Sequence, residues 1–163
     1  MQASLCMCGR MMALCVFMFL IAVVFCQTPL VYFKATLTKR SNNMAAFHFG
    51  VNRIIPFSNV EANIGHGYNP TSGVFVAPES GYYQFRTILQ TTRVGNSDFA
   101  LVAQGSPKAF VTIPNHWSST AMSAIFHVNR GDHVFVKKIF DNRNAPLRQG
   151  LWSQFSGYLL RID

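Results

Sequence analysis

The most informative absence in this 163-residue sequence is that of cysteine beyond residue 26. The four cysteines are Cys6, Cys8, Cys15 and Cys26, so the longer remaining part of the chain has none. This excludes disulfide bridges, cysteine nucleophiles and cysteine-ligated zinc from that part. A chain of this length can bury roughly two-thirds of its unfolded surface. A hydrophobic core, helped by association between copies, therefore has to hold the fold.

Acidic residues are also scarce, with 6 Asp and Glu against 14 Lys and Arg. The basic residues are scattered, and Lys39-Arg40 and Lys137-Lys138 are the only adjacent pairs. Without a basic run, a basic helix or a nucleic-acid motif, the sequence does not predict nucleic-acid binding. The net charge of +8 indicates a solvated basic surface or attraction to anionic glycans, lipopolysaccharide or membrane surfaces.

Motifs of catalysis and of elongated stalks are missing as well. The sequence has no Gly-x-Ser-x-Gly elbow and no Gly-rich phosphate loop, and its carboxylates are isolated from one another, so it does not predict an enzyme. Collagen-like Gly-X-Y runs and heptads are absent, which predicts a globular head without a stalk. The only near-match to an N-glycosylation sequon, Asn69-Pro70-Thr71, has proline in the forbidden middle position.

Residues 1–26 have the layout of a secretory signal peptide. One charge, Arg10, precedes an apolar run from residue 11 to residue 25, and cleavage is expected before Gln27. The alternative is a retained signal anchor, but the run is shorter than the roughly 20 residues that span a bilayer. We expect residues 27–163 to form one secreted, extracellular domain without stable membrane insertion.

Period-two alternation predicts β-strands throughout residues 27–163. Val31, Phe33, Ala35 and Leu37 alternate with polar or amphipathic residues in the first strand. Further strands are predicted at residues 45–51 and 53–57 (both weak), 81–92, 99–104, 109–113, 121–128, 133–140 and 154–162. No window predicts a helix, and short strands at this spacing indicate a sandwich or barrel.

Residues 63–85 organise the rest of the chain. Residues 69–73 form a turn rich in Asn, Pro, Ser and Gly, residues 74–76 a β-branched and aromatic strand, and residues 78–81 a second turn. Tyr83 and Phe85 are two apart and therefore share one strand face.

Motifs in this stretch and further along the chain carry a family resemblance. Asn63-Ile64-Gly65, Gly73-Val74-Phe75, Gly81-Tyr82-Tyr83-Gln84-Phe85, Gly131-Asp132-His133-Val134 and Ser153-Gln154-Phe155-Ser156-Gly157 occur in order along the chain. Together they resemble the complement C1q globular-head (C1q domain) family, within the tumour-necrosis-factor-like jelly-roll superfamily. The signature and core positions are Phe33, Ala35, Asn63, Gly65, Tyr68, Asn69, Gly73, Phe75, Pro78, Gly81, Tyr83, Phe85, Gly131, Asp132, Val134, Phe155 and Gly157.

The resemblance implies an all-β, ten-stranded jelly-roll sandwich (C1q/TNF-like) that assembles as a homotrimer. It also implies lectin-like pattern recognition of microbial or altered-self surfaces, with microbial glycans or lipopolysaccharide as partners. The alternative is a cytokine-like or synapse-organiser-like ligand of a specific protein receptor. Calcium is a family ligand, and Asp98 falls at the place of one of its carboxylates; the second matching position, Ser106, carries no charge.

Four residues are candidates for ligand binding: Trp117, His116, Lys137 and Lys138. A tryptophan in a polar loop can stack on a sugar or anchor a partner, although it can equally fill a core. The five histidines match no zinc-ligand spacing, which predicts ordinary surface or partly buried side chains. Arg130-Gly131-Asp132 spells the integrin-binding tripeptide, but Gly and Asp are also the residues that a hairpin turn requires.

Overall fold

The computed structural model describes residues 29–38, 46–93, 95–114, 117–143 and 145–163, and all regular elements there are β-strands. This confirms the all-β prediction. The predicted signal peptide over residues 1–26 lies outside the described residues. Within the described ranges, no helix has the length and apolarity that crossing a bilayer requires.

The described residues contain twelve strands: β1 (Tyr32–Leu37), β2 (Ala46–Phe47), β3 (Asn59–Ile64), β4 (Tyr68–Asn69), β5 (Val74–Val76), β6 (Gly81–Gln90), β7 (Ser97–Ala103), β8 (Ser106–Ile113), β9 (Ser119–Val128), β10 (His133–Asp141), β11 (Leu147–Arg148) and β12 (Gly150–Ile162).

Ten of these strands form two five-stranded antiparallel sheets. The first sheet has the order β3-β1-β12-β6-β9, and the second has the order β4-β5-β10-β7-β8. Strands that are distant in sequence lie side by side in both sheets, as in a jelly roll. The ten-stranded jelly-roll prediction is thus confirmed. A short β2–β11 pair is added to it.

Aromatic rings fill the space between the two sheets. Phe33, Phe75, Phe85 and Phe155 are all fully buried. Phe33 stacks on the ring of Tyr68 at 4.8 Å and meets the ring of Phe155 edge-on at 4.9 Å, and such pairs add stabilisation beyond their buried area. The signature aromatics are therefore core residues.

Gly157 is a signature residue because the core leaves no room for a side chain there. A Cβ atom at this position would lie 2.6 Å from a ring carbon of Phe85 and 2.7 Å from one of Phe33. Only glycine lets both rings pack directly over strand β12.

Side chains in the organising stretch close its turns. Asn63 accepts a hydrogen bond from the backbone N–H of Tyr68 at 3.1 Å and donates to its carbonyl at 2.9 Å. Asn69 Oδ1 accepts from the backbone N–H groups of Thr71 and Ser72. Gly73 follows with a φ of 74°, which glycine adopts without strain. The turn predicted over residues 69–73 is confirmed.

Two weak strand predictions need correction. Of the described residues in the strand predicted over 45–51, which are 46–51, only Ala46–Phe47 form a strand. Residues 53–57 form no named strand, and Ile54 makes a single bridge to Lys137. Pro56 lacks the N–H that a ladder requires, which explains the interruption. Strand β3, which the sequence pattern did not predict, lies at the edge of the first sheet.

The strand register defines two ends of the sandwich. At one end, Leu37 pairs with Gly150 and Gln90 pairs with Ser119, so β1 and β6 finish where β12 and β9 begin. We call this the distal end. At the other end, Gly81 pairs with Ile162, which places the start of β6 beside the end of β12.

Candidate functional site

Two indoles and a guanidinium lie together at the distal end. The guanidinium of Arg148, on β11, lies 5.0 Å from the ring centroid of Trp117 and 4.1 Å from that of Trp152. Trp117 precedes β9 and is 42% exposed, while Trp152, on β12, is 49% exposed. We call these three residues the indole–arginine cluster. Both tryptophans of the sequence belong to it.

Gln90, buried at the end of β6, holds the cluster together. Its Oε1 accepts a hydrogen bond of 2.9 Å from Nη1 of Arg148, and its Nε2 donates to the carbonyl of Trp117 at 3.2 Å. Trp117 has a φ of 57°, an uncommon conformation for a bulky residue. Strain of this kind persists where surrounding contacts fix the backbone, and it concentrates at functional sites.

A groove of about 420 Å³ adjoins the cluster on the outer face of the first sheet. Its lining includes Thr36, Asn59, Glu61, Arg148, Leu151 and Trp152. Asn59 donates to Thr36 Oγ1 at 2.9 Å. The volume falls in the range of small-ligand sites.

Two charges beside this groove, Lys34 and Glu61, are paired with each other. Lys34 Nζ contacts Glu61 Oε2 at 2.7 Å, and the pKa of Lys34 is raised, chiefly by its hydrogen bond to Glu61. Arg148 is held by Gln90 and between the two indoles. Arg148 Nε is buried and has no hydrogen-bond partner among the described residues.

Three of the four residues proposed for ligand binding are described by the structure, and of these three only Trp117 lies in this region. His116 lies outside the described residues, and Lys137 is half-buried on β10 of the second sheet. Lys138 does not fit the role of a surface cation, because it is 1% exposed and forms an ion pair with Asp141. Alternation on β10 turns Lys138 into the interior with Val134 and Val136. Its carbonyl partner is Ala145, at 3.3 Å.

Asp98, the candidate calcium ligand, and Ser106, the second position matched to the family's ligands, lie apart in the fold. Asp98 lies within β7, opposite Thr112. Ser106 pairs with Ala103, five residues further along β7. At about 3.4 Å per residue, this separates the two positions by about 17 Å. Oδ1 of Asp98 is buried without a hydrogen-bond partner among the described residues, but one carboxylate does not make a calcium site.

No three His, Cys, Asp or Glu side chains of the described residues group closely enough to hold a metal ion. His48, His66, His127 and His133 are all exposed, as expected for surface histidines. His127 contacts the carboxylate of Asp163 at 2.9 Å.

Arg130-Gly131-Asp132 forms the turn between β9 and β10. Gly131 has a φ of 87°, and the carboxylate of Asp132 accepts a 2.7 Å hydrogen bond from the backbone N–H of Asn129. The side chain of Gln104 also donates to Asp132. These contacts explain Gly131 and Asp132 by the geometry of the turn.

Sequence reasoning missed Arg148, Trp152 and Glu61. Trp152 carried a usable signal, because it is one of only two tryptophans and follows the apolar Leu151 shortly before the strand predicted over residues 154–162. Arg148 and Glu61 carried none, because their importance depends on neighbours far away in sequence.

Comparison with known proteins agrees with this architecture. The family model described as C1q domain matches residues 32–160. The chain is 29% identical over 133 residues to the heavy metal-binding protein HIP of Mytilus edulis, covering 80% of this chain and 60% of that relative. It therefore spans less than two-thirds of that relative's length.

Two solved structures share the fold at low sequence identity. The globular domain of zebrafish complement 1qA protein aligns with a TM-score of 0.64 at 15% identity, covering 82% of this chain and 99% of that chain. The Eiger TNF of S. frugiperda aligns with a TM-score of 0.59 at 11% identity, covering 83% of this chain and 96% of that one. At such identities the likeness concerns the fold alone.

Proposed function

Because the chain belongs to the C1q domain family, we propose that it is a secreted, homotrimeric recognition protein that binds microbial or altered-self glycans. The observation that carries this proposal is the indole–arginine cluster, which presents two half-exposed tryptophans beside a groove. Indoles combine a large apolar surface with a polar N–H, which suits binding of amphipathic ligands such as sugars. In this proposal the protein binds and does not catalyse.

Exposed apolar side chains on the first sheet support self-association. Tyr82, Ile125, Tyr158 and Leu160 are 41–59% exposed. The register brings Tyr158 and Ile125 to either side of Gln84, so the two form part of one outer face. Exposed apolar side chains grouped on one face in this way mark interaction sites.

A trimer would convert three weak sites into one strong attachment, because the second and third binding events become intramolecular. The basic net charge of +8 would add attraction to anionic surfaces, and this attraction falls with ionic strength. Size-exclusion chromatography with light scattering should give the mass of three subunits. The mass of one subunit at micromolar concentration would contradict the trimer.

The first test of function is retention of the protein on a panel of immobilised microbial glycans, with and without chelator and at low and high salt. We expect binding that Trp152→Ala weakens and that Phe140→Ala leaves intact. Phe140 is a matched control because it is an exposed aromatic on the second sheet.

Loss of binding in chelator would instead assign recognition to a metal. A protein that binds no glycan, but binds one host cell type saturably and at nanomolar concentration, would identify a ligand of a protein receptor.

A further inference from the structure

The groove beside the indole–arginine cluster is built from two irregularities of the first sheet. In the β1–β3 ladder, Lys34 pairs with Ala62 and Ala35 pairs with Val60, so Glu61 is the extra, unpaired residue of a bulge. Bulges re-aim side chains and occur preferentially beside functional sites.

A second register shift lies on the other side of β1. Thr36 pairs with Gln154, but Leu37 pairs with Gly150, so residues 151–153 loop out of the β1–β12 ladder. Trp152 lies in this looped segment and lines the same groove as Glu61. The end of β1 is therefore flanked on both sides by residues that have left the regular pairing.

We propose that this groove binds a neutral, hydroxyl-rich sugar unit. The indole of Trp152 would supply an apolar platform, and the oxygens of Glu61 and Asn59 would accept hydrogen bonds from sugar hydroxyls. The inference rests on the proposed glycan recognition and deepens it by naming the site and the class of ligand. Small-ligand sites usually combine an apolar or aromatic surface with a few polar groups around it. The half-exposed indole and its polar neighbours have this composition.

The side chains offer acceptors for such hydroxyls. Lys34 contacts Oε2 of Glu61, and an ionised carboxylate has lone pairs on both oxygens. Asn59 donates to Thr36 through its Nδ2, so this hydrogen bond does not occupy the acceptor Oδ1. Hydroxyl donors to a carboxylate form charge-assisted hydrogen bonds, which are about twice as strong as neutral ones.

The charge pattern favours a neutral ligand over an anionic one. Glu61 would repel a uronate or phosphate, and its partner Lys34 is already engaged with it. Arg148 is held between two indoles and by Gln90, so turning it towards an anion would break these contacts. An anion entering the groove would lose its hydration and meet the carboxylate of Glu61, and the cation that it would find there, Arg148, is already engaged with Gln90 and the indoles.

The test is titration of the full-length protein with a neutral glucan oligosaccharide and with a polyuronate of similar length, at low and high salt. Intrinsic tryptophan fluorescence reports on the site directly, because the only two tryptophans belong to the cluster. We expect the neutral oligosaccharide to change the emission with an affinity that salt does not alter. Glu61→Gln should weaken this binding about tenfold, as expected for loss of a hydrogen bond to a charged group.

Glu79→Gln is the matched control, since Glu79 lies just before β6, at the opposite end from the groove. Equal neutral-glucan affinity in both variants would overturn the assignment of the groove and leave glycan recognition intact. If the protein bound only the polyuronate, and high salt abolished this binding, the proposed preference for neutral sugars would be wrong and recognition would depend on charge. Absence of binding to every glycan, by fluorescence and by retention on the panel, would overturn the proposed function itself.

Discussion

Replacing Asp141 with asparagine should unfold this domain more easily than any other change of a single charge that the structure suggests. Asp141 accepts a hydrogen bond from Lys138 Nζ, and the side chains of the two residues are 7% and 1% exposed. Its Oδ1 also accepts from Ser97 Oγ and from the backbone N–H groups of Arg143 and Ala145, at 3.2–3.3 Å. The variant keeps an amide oxygen for these donors but leaves the ammonium of Lys138 buried without a counter-charge.

The expected loss is about 3–5 kcal/mol, because an uncompensated buried charge costs more than the pair contributes. This is a large fraction of the roughly 5–15 kcal/mol that stabilises a typical domain. With a urea slope of about 2 kcal/mol/M, the midpoint should fall by about 2 M. The comparison requires one fixed protein concentration, since association contributes to stability.

The double variant Lys138→Met/Asp141→Asn provides the decisive control. Methionine has a similar length without the charge, so the double variant should recover part of the loss, and the two changes should be clearly non-additive. A loss below about 1 kcal/mol for Asp141→Asn, with additive single effects, would show that the pair is hydrated and would refute the reasoning.

Three further predictions follow from contacts at Asp141, Gly157 and Arg148. Burial raises the pKa of Asp141, but hydrogen bonds from Lys138 and Ala145 outweigh this effect and hold the pKa below its usual range. The stability that this carboxylate contributes is therefore full above about pH 3.9 and is lost as the pH falls through the lowered pKa. Acid titrations of the unfolding free energy should show this loss in the natural protein and not in Asp141→Asn. Gly157→Ala should lower the free energy of unfolding by about 1–3 kcal/mol, since the new Cβ would lie 2.6 Å from a core ring carbon. Gly50→Ala is the control, because the nearest atom to its new Cβ would be 3.5 Å away, and it should leave the melting temperature nearly unchanged. Arg148→Met should remove about 1–2 kcal/mol of cation–π attraction and shift tryptophan emission to the red; an unchanged spectrum would show that the cluster does not form in solution.

The turns and the core were the parts of the fold that the sequence could specify. Turn chemistry is local, so residues 69–73 could be placed from Asn, Pro and Gly alone. The alternation of Val31, Phe33, Ala35 and Leu37 likewise defined one buried face. Edge strand β3 shows the limit, because its Val60 and Ala62 do alternate with polar residues, yet both faces are partly exposed and the pattern is weak.

Lys138 shows how a residue type can mislead. Beside Lys137 it was interpreted as part of a basic surface, but Val134 and Val136 occupy the same strand face and point into the core. The alternation of side chains along β10 therefore places Lys138 in the interior, where Asp141, three residues later, is its ion-pair partner. The pattern outweighs the usual preference of lysine for water when a counter-charge is within reach.

The candidate site could not be predicted because it arises from register and not from local composition. Glu61 and Trp152 leave the ladders only because the pairing of β1 shifts by different amounts on its two sides, and Arg148 meets Trp117 across 31 positions of sequence. The buried pair of Lys138 and Asp141 connects this site to the core, since Asp141 fixes the start of the segment that ends at Arg148. Stability and recognition at the distal end thus depend on one segment, so a change that loosens Asp141 should also loosen the cation between the two indoles.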